Sequence, residues 1–194
     1  MKISALLFFA LVTSSKAFTQ LSKGQFLLGG SIRLESVKKS YYLSGPYSAT
    51  NIFVSPSIGY FVLPKLAGGV RVDLSSYKSN SSSVETQTTS TAISPYVRYY
   101  FLPVATKVNT FFDAGYLFTK TKWTSFSNPA LTSKSSGFQI LAGPSVFITE
   151  QIGLEFTVGL RHTRLRDSGP GLEPVKSTTI STGLGLQIHF GKKS

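Results

Sequence analysis

The chain has 194 residues and a net charge of +12, with 14% charged residues, 13% aromatic residues, 17 glycines and no cysteine. It is long enough for one domain that buries roughly two-thirds of its unfolded surface. The missing cysteine excludes disulfide frameworks, thiolate metal centres, cysteine nucleophiles and lipid attachment through sulfur.

Met1 to Ala17 has a basic Lys2, an apolar run from Ile3 to Val12 broken by Ser4, and a small-residue end at Ser15-Lys16-Ala17. That is the order of a secretory signal, and its apolar run is too short to span a bilayer as a helix. Residues 1–17 are therefore expected to be removed, leaving 18–194 as one domain with a net charge of +10. No later run is long and apolar enough for a transmembrane helix, so the exported chain goes to the periplasm, the medium or an outer membrane.

From residue 26 onward the sequence alternates with a period of two, which is the mark of strands with two different faces. In chain order one face collects Phe26, Leu28, Ile32 and Leu34, then Ile52, Val54, Ile58 and Tyr60, then Val70, Val72 and Leu74. It continues through Ile93, Val97, Tyr99 and Phe101, then Phe112, Ala114, Tyr116 and Phe118, then Phe138, Ile140, Ala142 and Val146. Ile152, Leu154, Phe156, Val158 and Leu160 follow, and Ile180, Leu184, Leu186, Ile188 and Phe190 close the series. Eight strands of about 11 to 13 residues are expected, each long enough when tilted to cross roughly 30 Å of hydrocarbon.

The opposite faces carry Arg33, Glu35, Arg71, Asp73, Arg98, Asp113, Glu155 and Arg161, four cations and four anions among glycines and serines. A face meeting water would be rich in lysine. A balanced arginine and carboxylate set suits a narrow interior where charges must be paired, so these eight residues are expected to form an internal network while the apolar face meets lipid. Short turns are expected at Leu63-Pro64-Lys65, at 104–108 and at Thr149-Glu150-Gln151, alternating with long polar loops at 37–49, 78–88, 122–134 and 165–176. That alternation is typical of membrane barrels.

Three related segments precede the short turns: Ser55-Pro56-Ser57-Ile58-Gly59-Tyr60-Phe61, Ser94-Pro95-Tyr96-Val97-Arg98-Tyr99-Tyr100 and Gly143-Pro144-Ser145-Val146-Phe147. A proline in a closed sheet removes one ladder bond, which calls for a bulge or a local water. The aromatics after each proline are expected to form an interfacial girdle.

The export segment, the eight amphipathic strands, the Pro-x-[Ile/Val]-x-aromatic hairpins and the ending Leu184-Gly185-Leu186-Gln187-Ile188-His189-Phe190 together resemble the small eight-stranded outer-membrane β-barrels of OmpA/OmpX type, in their Bacteroidetes-like form. The resemblance implies an antiparallel up-and-down barrel in a bacterial outer membrane. It also implies assembly by the barrel-assembly machinery, which reads a terminal aromatic such as Phe190.

Catalytic and metal chemistry is not expected. His162 and His189 fall at opposite ends of the barrel on opposite faces, and neither has a spaced carboxylate cluster. His162-Thr163-Arg164 lacks the serine that a lipid A deacylase would need there. No cofactor is expected, and glycine pairs such as Gly29-Gly30 lie inside strands rather than before a helix. Basic residues sit mainly in loops without an aromatic platform, which argues against nucleic acid. The expected partners are outer-membrane lipid and lipopolysaccharide, with Lys120, Lys122, Arg164 and Arg166 as phosphate contacts on an outer rim, and the barrel is expected to be a monomer. A soluble lipocalin-like carrier, with the apolar face inside, and a narrow porin are the alternatives.

Overall fold

The computed structural model describes residues 21–41, 45–81, 84–103, 106–125, 128–165 and 176–191. The expected export segment and Arg166 lie outside these. Eight strands follow one another: β1 (Phe26–Tyr41), β2 (Gly45–Leu63), β3 (Leu66–Ser81), β4 (Val84–Tyr100), β5 (Val108–Ser125), β6 (Asn128–Phe147), β7 (Ile152–Leu165) and β8 (Lys176–Phe190). Each pairs antiparallel with the next, and β1 pairs with β8 from Phe26↔Phe190 to Ser36↔Ile180, which closes the cylinder and leaves no sheet edge.

Parity decides the two faces. Leu184 is 68% exposed and Ile180 65%, whereas Arg33 and Asp113 are fully buried. A carrier with an apolar interior is thereby overturned, because the residues that would line its cavity point outward on all eight strands.

The strands run from 14 to 20 residues, longer than alternation suggested. Pairing continues to Tyr41↔Gly45, Ser81↔Val84 and Ser125↔Asn128. Three of the four expected loops are therefore paired hairpins that extend the strands well past the 9 to 11 residues needed to cross a bilayer. Alternation stops there because both faces of a protruding ribbon meet water, while threonines and serines, as in Thr86 to Thr91, keep the ladder. The fourth segment lies between Leu165 and Lys176, outside the described residues.

The prolines are absorbed without a bulge. Rungs are missing between Val54↔Leu74 and Ser57↔Arg71, between Ile93↔Phe118 and Tyr96↔Gly115, and between Ala142↔Val158 and Ser145↔Glu155, with the same register on both sides of each gap. On its other side each proline stays in register, opposite Gly30, Val70 and Thr110 respectively. One ladder pauses for two residues while its neighbour holds the strand.

The interior has three zones. At the short-turn end an apolar floor gathers Leu27, Phe61, Tyr100, Phe111, Leu141 and Phe147 around Leu21, which the chain inserts into the mouth before β1 begins. Backbone bonds of 2.9 Å from Lys65 N to Leu21 O, from Gly24 N to Phe61 O and from Phe61 N to Gln25 O hold this cap. Leu21→Ala is expected to lower stability by about 2 kcal/mol, the low end for a buried leucine because a chain end can settle into the space. Urea unfolding in detergent measures it. Above the floor lies a layer of charges, and above that a cup lined by hydroxyls opens toward the hairpins.

Candidate functional site: the charged lumen and the outer face

Seven of the eight charged residues picked by parity have described side chains, and all seven point inward. Glu35 sits in β1 opposite Asn51 and Ser181, but its side chain is outside the described residues. The seven form two clusters, one above the other.

The cluster nearer the hairpins centres on Asp73, which accepts from Arg33 on one oxygen and from Arg161 Nη2 at 2.7 Å on the other. Arg33 also donates to Ser55 Oγ at 2.8 Å, and Arg161 Nε donates to Gln139 Oε1 at 3.1 Å. The lower cluster centres on Asp113. Its Oδ2 accepts from Arg71 Nη2 at 2.7 Å and from Arg98 Nε at 3.1 Å. Arg98 Nη1 then reaches Glu155 Oε1 at 2.8 Å, and that carboxylate also accepts from the Tyr100 hydroxyl and from Gln187 Nε2, each at 3.2 Å.

Two of the pairings join distant strands: Asp73 and Arg161 link β3 to β7, and Arg98 and Glu155 link β4 to β7, so these bonds run across the lumen, whereas Arg98 and Asp113 are direct neighbours on the β4–β5 ladder. This is why the sequence could select the residues without naming the partners: neighbours across a barrel are set by tilt and stagger. Space for the aliphatic stem of Arg33 comes from Gly183, where a Cβ would lie 2.5 Å from Arg33 Cγ.

Aromatics on the inward parity complete the layer. Arg98 stacks on Phe111 at 4.4 Å, Arg71 on Tyr96 at 4.7 Å and Arg161 on Phe53 at 5.1 Å. Sequence reasoning assigned the aromatics after each proline to a girdle. That holds for Tyr60 and Tyr99, which are exposed, but Phe61, Tyr96, Tyr100 and Phe147 are buried inside. Consecutive aromatics such as Tyr60-Phe61 and Tyr99-Tyr100 carried the signal, since two adjacent strand residues must face opposite ways.

Outside, the girdle at the short-turn end includes Phe26, stacked on Phe190 at 5.6 Å and edge-on to Tyr60 at 5.1 Å, and the Tyr99–Phe101 pair at 5.2 Å. The apolar face from Ile180 to Phe190 rises about 25 Å on a strand tilted by about 40°. An exposed apolar band of that height, flanked by aromatics and wrapped around a closed sheet with a charged interior, is stable only with hydrocarbon as the surrounding solvent.

The sequence matches the family described as "Outer membrane protein beta-barrel domain" over residues 4–187. The chain belongs to that family. Solved structures share the fold: Neisserial surface protein A (NspA) superposes with a TM-score of 0.63 at 16% identity, covering 87% of this chain and 98% of that one. OprG of Pseudomonas aeruginosa gives 0.55 at 11% identity, over 90% and 99% of the two chains. Ail, the attachment invasion locus protein of Yersinia pestis, gives 0.53 at 10% identity, over 87% and 99%. A search of curated proteins finds no significant match. The protein is an outer-membrane barrel of the OmpA/OmpX type, and its described strands cross the membrane with the short turns at one end and the hairpins at the other.

Of the four residues expected to meet lipopolysaccharide, Lys120 and Lys122 on β5 and Arg164 on β7 are exposed on the outward face at the hairpin end. Arg166 is outside the described residues. Pairing adds two cations outside that set: Lys134 lies directly opposite Lys120, and Lys176 directly opposite Arg164.

Proposed function

We propose that the protein is a non-catalytic, non-conducting interaction barrel, a rigid membrane-anchored cylinder that plugs its own lumen and presents its four long connections outward. The observation that carries this reading is the pair of stacked charge clusters, in which Asp73 and Asp113 each bridge two buried arginines. Eight strands leave an interior about as wide as its side chains. The hydroxyl-lined cup of about 160 Å³ between Ser90, Thr121, Thr163 and Thr179 ends on Asp73 and Arg161. An ion entering there would have to break buried pairs that tie opposite walls together. The name of Ail, an attachment invasion locus protein on the same fold, fits a role carried by displayed hairpins.

Membrane lipid surrounds the barrel, and the assembly machinery would read the closing strand, in which Phe190 is half-exposed against Phe26. The barrel works as a monomer in this reading. Purified protein in planar bilayers is expected to give no steady single-channel current. Arg161→Ala together with Asp73→Ala is expected to remain non-conducting, because the Asp113 cluster stands beneath. A steady ohmic current from the unmodified protein would overturn the reading in favour of a narrow porin.

A further inference from the structure

The cup above the charged layer has a lip of different chemistry. Residues directly opposed across neighbouring ladders share a face and lie side by side, so pairing sorts the β4–β5–β6 wall into ranks. Ala92, Thr119 and Ser135 form the lowest rank, Ser90, Thr121 and Ser133 the next, and Thr88, Trp123 and Leu131 the uppermost. All have inward parity, and successive ranks are two residues, about 7 Å, apart.

Trp123 is the single tryptophan of the chain. It is 37% exposed and Leu131 is 66% exposed, so neither belongs to a packed core. Neither faces lipid, because both have inward parity, and the outward residue beside Trp123 is Lys122. An indole serving the membrane interface would take the outward parity of Tyr116 and Phe118. The pair forms an apolar shelf over a polar cup.

Below the shelf, about 160 Å³ is lined by the hydroxyls of Ser90, Thr119, Thr121, Ser135, Thr163 and Thr179. Ser90 and Thr121 bond to each other at 3.0 Å, which fixes that side of the wall. At the bottom lies the buried Asp73–Arg161 pair, 2.7 Å apart, with the Phe53 ring centred 5.1 Å from the guanidinium. A hydroxyl both donates and accepts, and a carboxylate beside a guanidinium offers acceptor and donor together, so this lining does not select by charge. The volume is under the roughly 300 to 1,000 Å³ of drug-sized ligand sites, which limits the occupant to one small ring. What matches is a neutral molecule rimmed by hydroxyls with a C–H face to lay against an aromatic ring.

We infer that the outer mouth of the lumen is a binding site for one neutral sugar ring, its hydroxyls within the cup and its C–H face on Trp123. The inference deepens the interaction-barrel reading and rests on that reading's orientation, with the long connections outward.

The test titrates the full barrel in detergent with glucose, galactose and N-acetylglucosamine, and with sodium sulfate as an anion. Trp123 fluorescence reports the mouth directly, since no other tryptophan contributes, and saturation-transfer NMR reads the bound sugar. At least one sugar is expected to shift the emission saturably at millimolar concentration, with sulfate neither shifting it nor competing. T121V/T163V removes two hydroxyls and keeps the β-branched shape, and it should weaken binding at least about fivefold with heat-modifiable mobility unchanged. W123A, at an exposed position, should lose saturation transfer to the sugar and keeps the test decisive should the double variant fail to fold. K122Q, beside it on the outward face, should bind as the unmodified protein does. No saturable shift with any of the three sugars, undiminished binding in T121V/T163V or W123A, or sulfate competing with sugar overturns the site. A planar-bilayer current separates the two readings: a conducting barrel that still binds sugar overturns the plug alone, and a closed barrel that binds none overturns the site alone.

Discussion

Asp113→Ala is expected to lower the folding stability of the barrel by about 3 to 5 kcal/mol, because it strands buried positive charge. Asp113 is fully buried and is shared by Arg71 and Arg98. Of the two, Arg98 retains its ion pair with Glu155, whereas Arg71 is left with its stacking on Tyr96 and the more distant attraction of Asp73. The loss therefore falls mainly on Arg71, and removing that residue as well should recover most of it. Arg71→Met with Asp113→Leu is expected to unfold in urea within about 1 kcal/mol of the unmodified protein, since an apolar pair of similar volume often replaces a buried ion pair without cost. A double variant as unstable as Asp113→Ala alone would mean that the carboxylate is needed by Arg98, and the apportioning of the cluster would have to be redrawn.

Gly143→Ala is expected to prevent the β6–β7 wall from closing. A Cβ at this position would lie 1.8 Å from the carbonyl oxygen of Phe156, with Phe156 C at 2.9 Å and Thr157 Cα at 3.3 Å. All three are backbone atoms, so no side-chain rotation relieves the overlap. The neighbouring rungs are already missing at Pro144, and the strands would have to part where they are least tied. A cost of about 3 kcal/mol is expected, the upper range for overpacking. It should appear as a smaller fraction of protein with folded, heat-modifiable gel mobility. Gly30→Ala is the contrast: its nearest atoms would be Pro56 Cα and Ser55 O, both at 3.5 Å, and no loss is expected. Equal urea midpoints for the two variants would show that β6 and β7 do not approach each other so closely in the membrane.

Other features separate in the same way into those carried by local pattern and those that needed the closed cylinder. Strand number and the inward or outward direction of the residues in each alternating run follow from a period of two, because a strand in a bilayer must alternate lipid and lumen at every step. The choice of Arg33, Arg71, Asp73, Arg98, Asp113, Glu155 and Arg161 as interior charges follows from the same parity. Strand ends did not, because a ribbon beyond the bilayer meets water on both faces and keeps its hydrogen bonds without any alternation to betray it.

What the tertiary structure alone decided is who meets whom. Asp73 finds Arg161 and Glu155 finds Arg98 across the lumen, at sequence separations of 88 and 57 residues. Those meetings depend on strand stagger and on where β8 locks onto β1, neither of which parity constrains. Between sequential strands the register is set locally instead, as where the turn after Ser125 places Lys134 opposite Lys120. Periodicity records which face a residue takes; closure of the sheet fixes how distant strands sit in height on that face, and the charge clusters across the lumen are a matter of height.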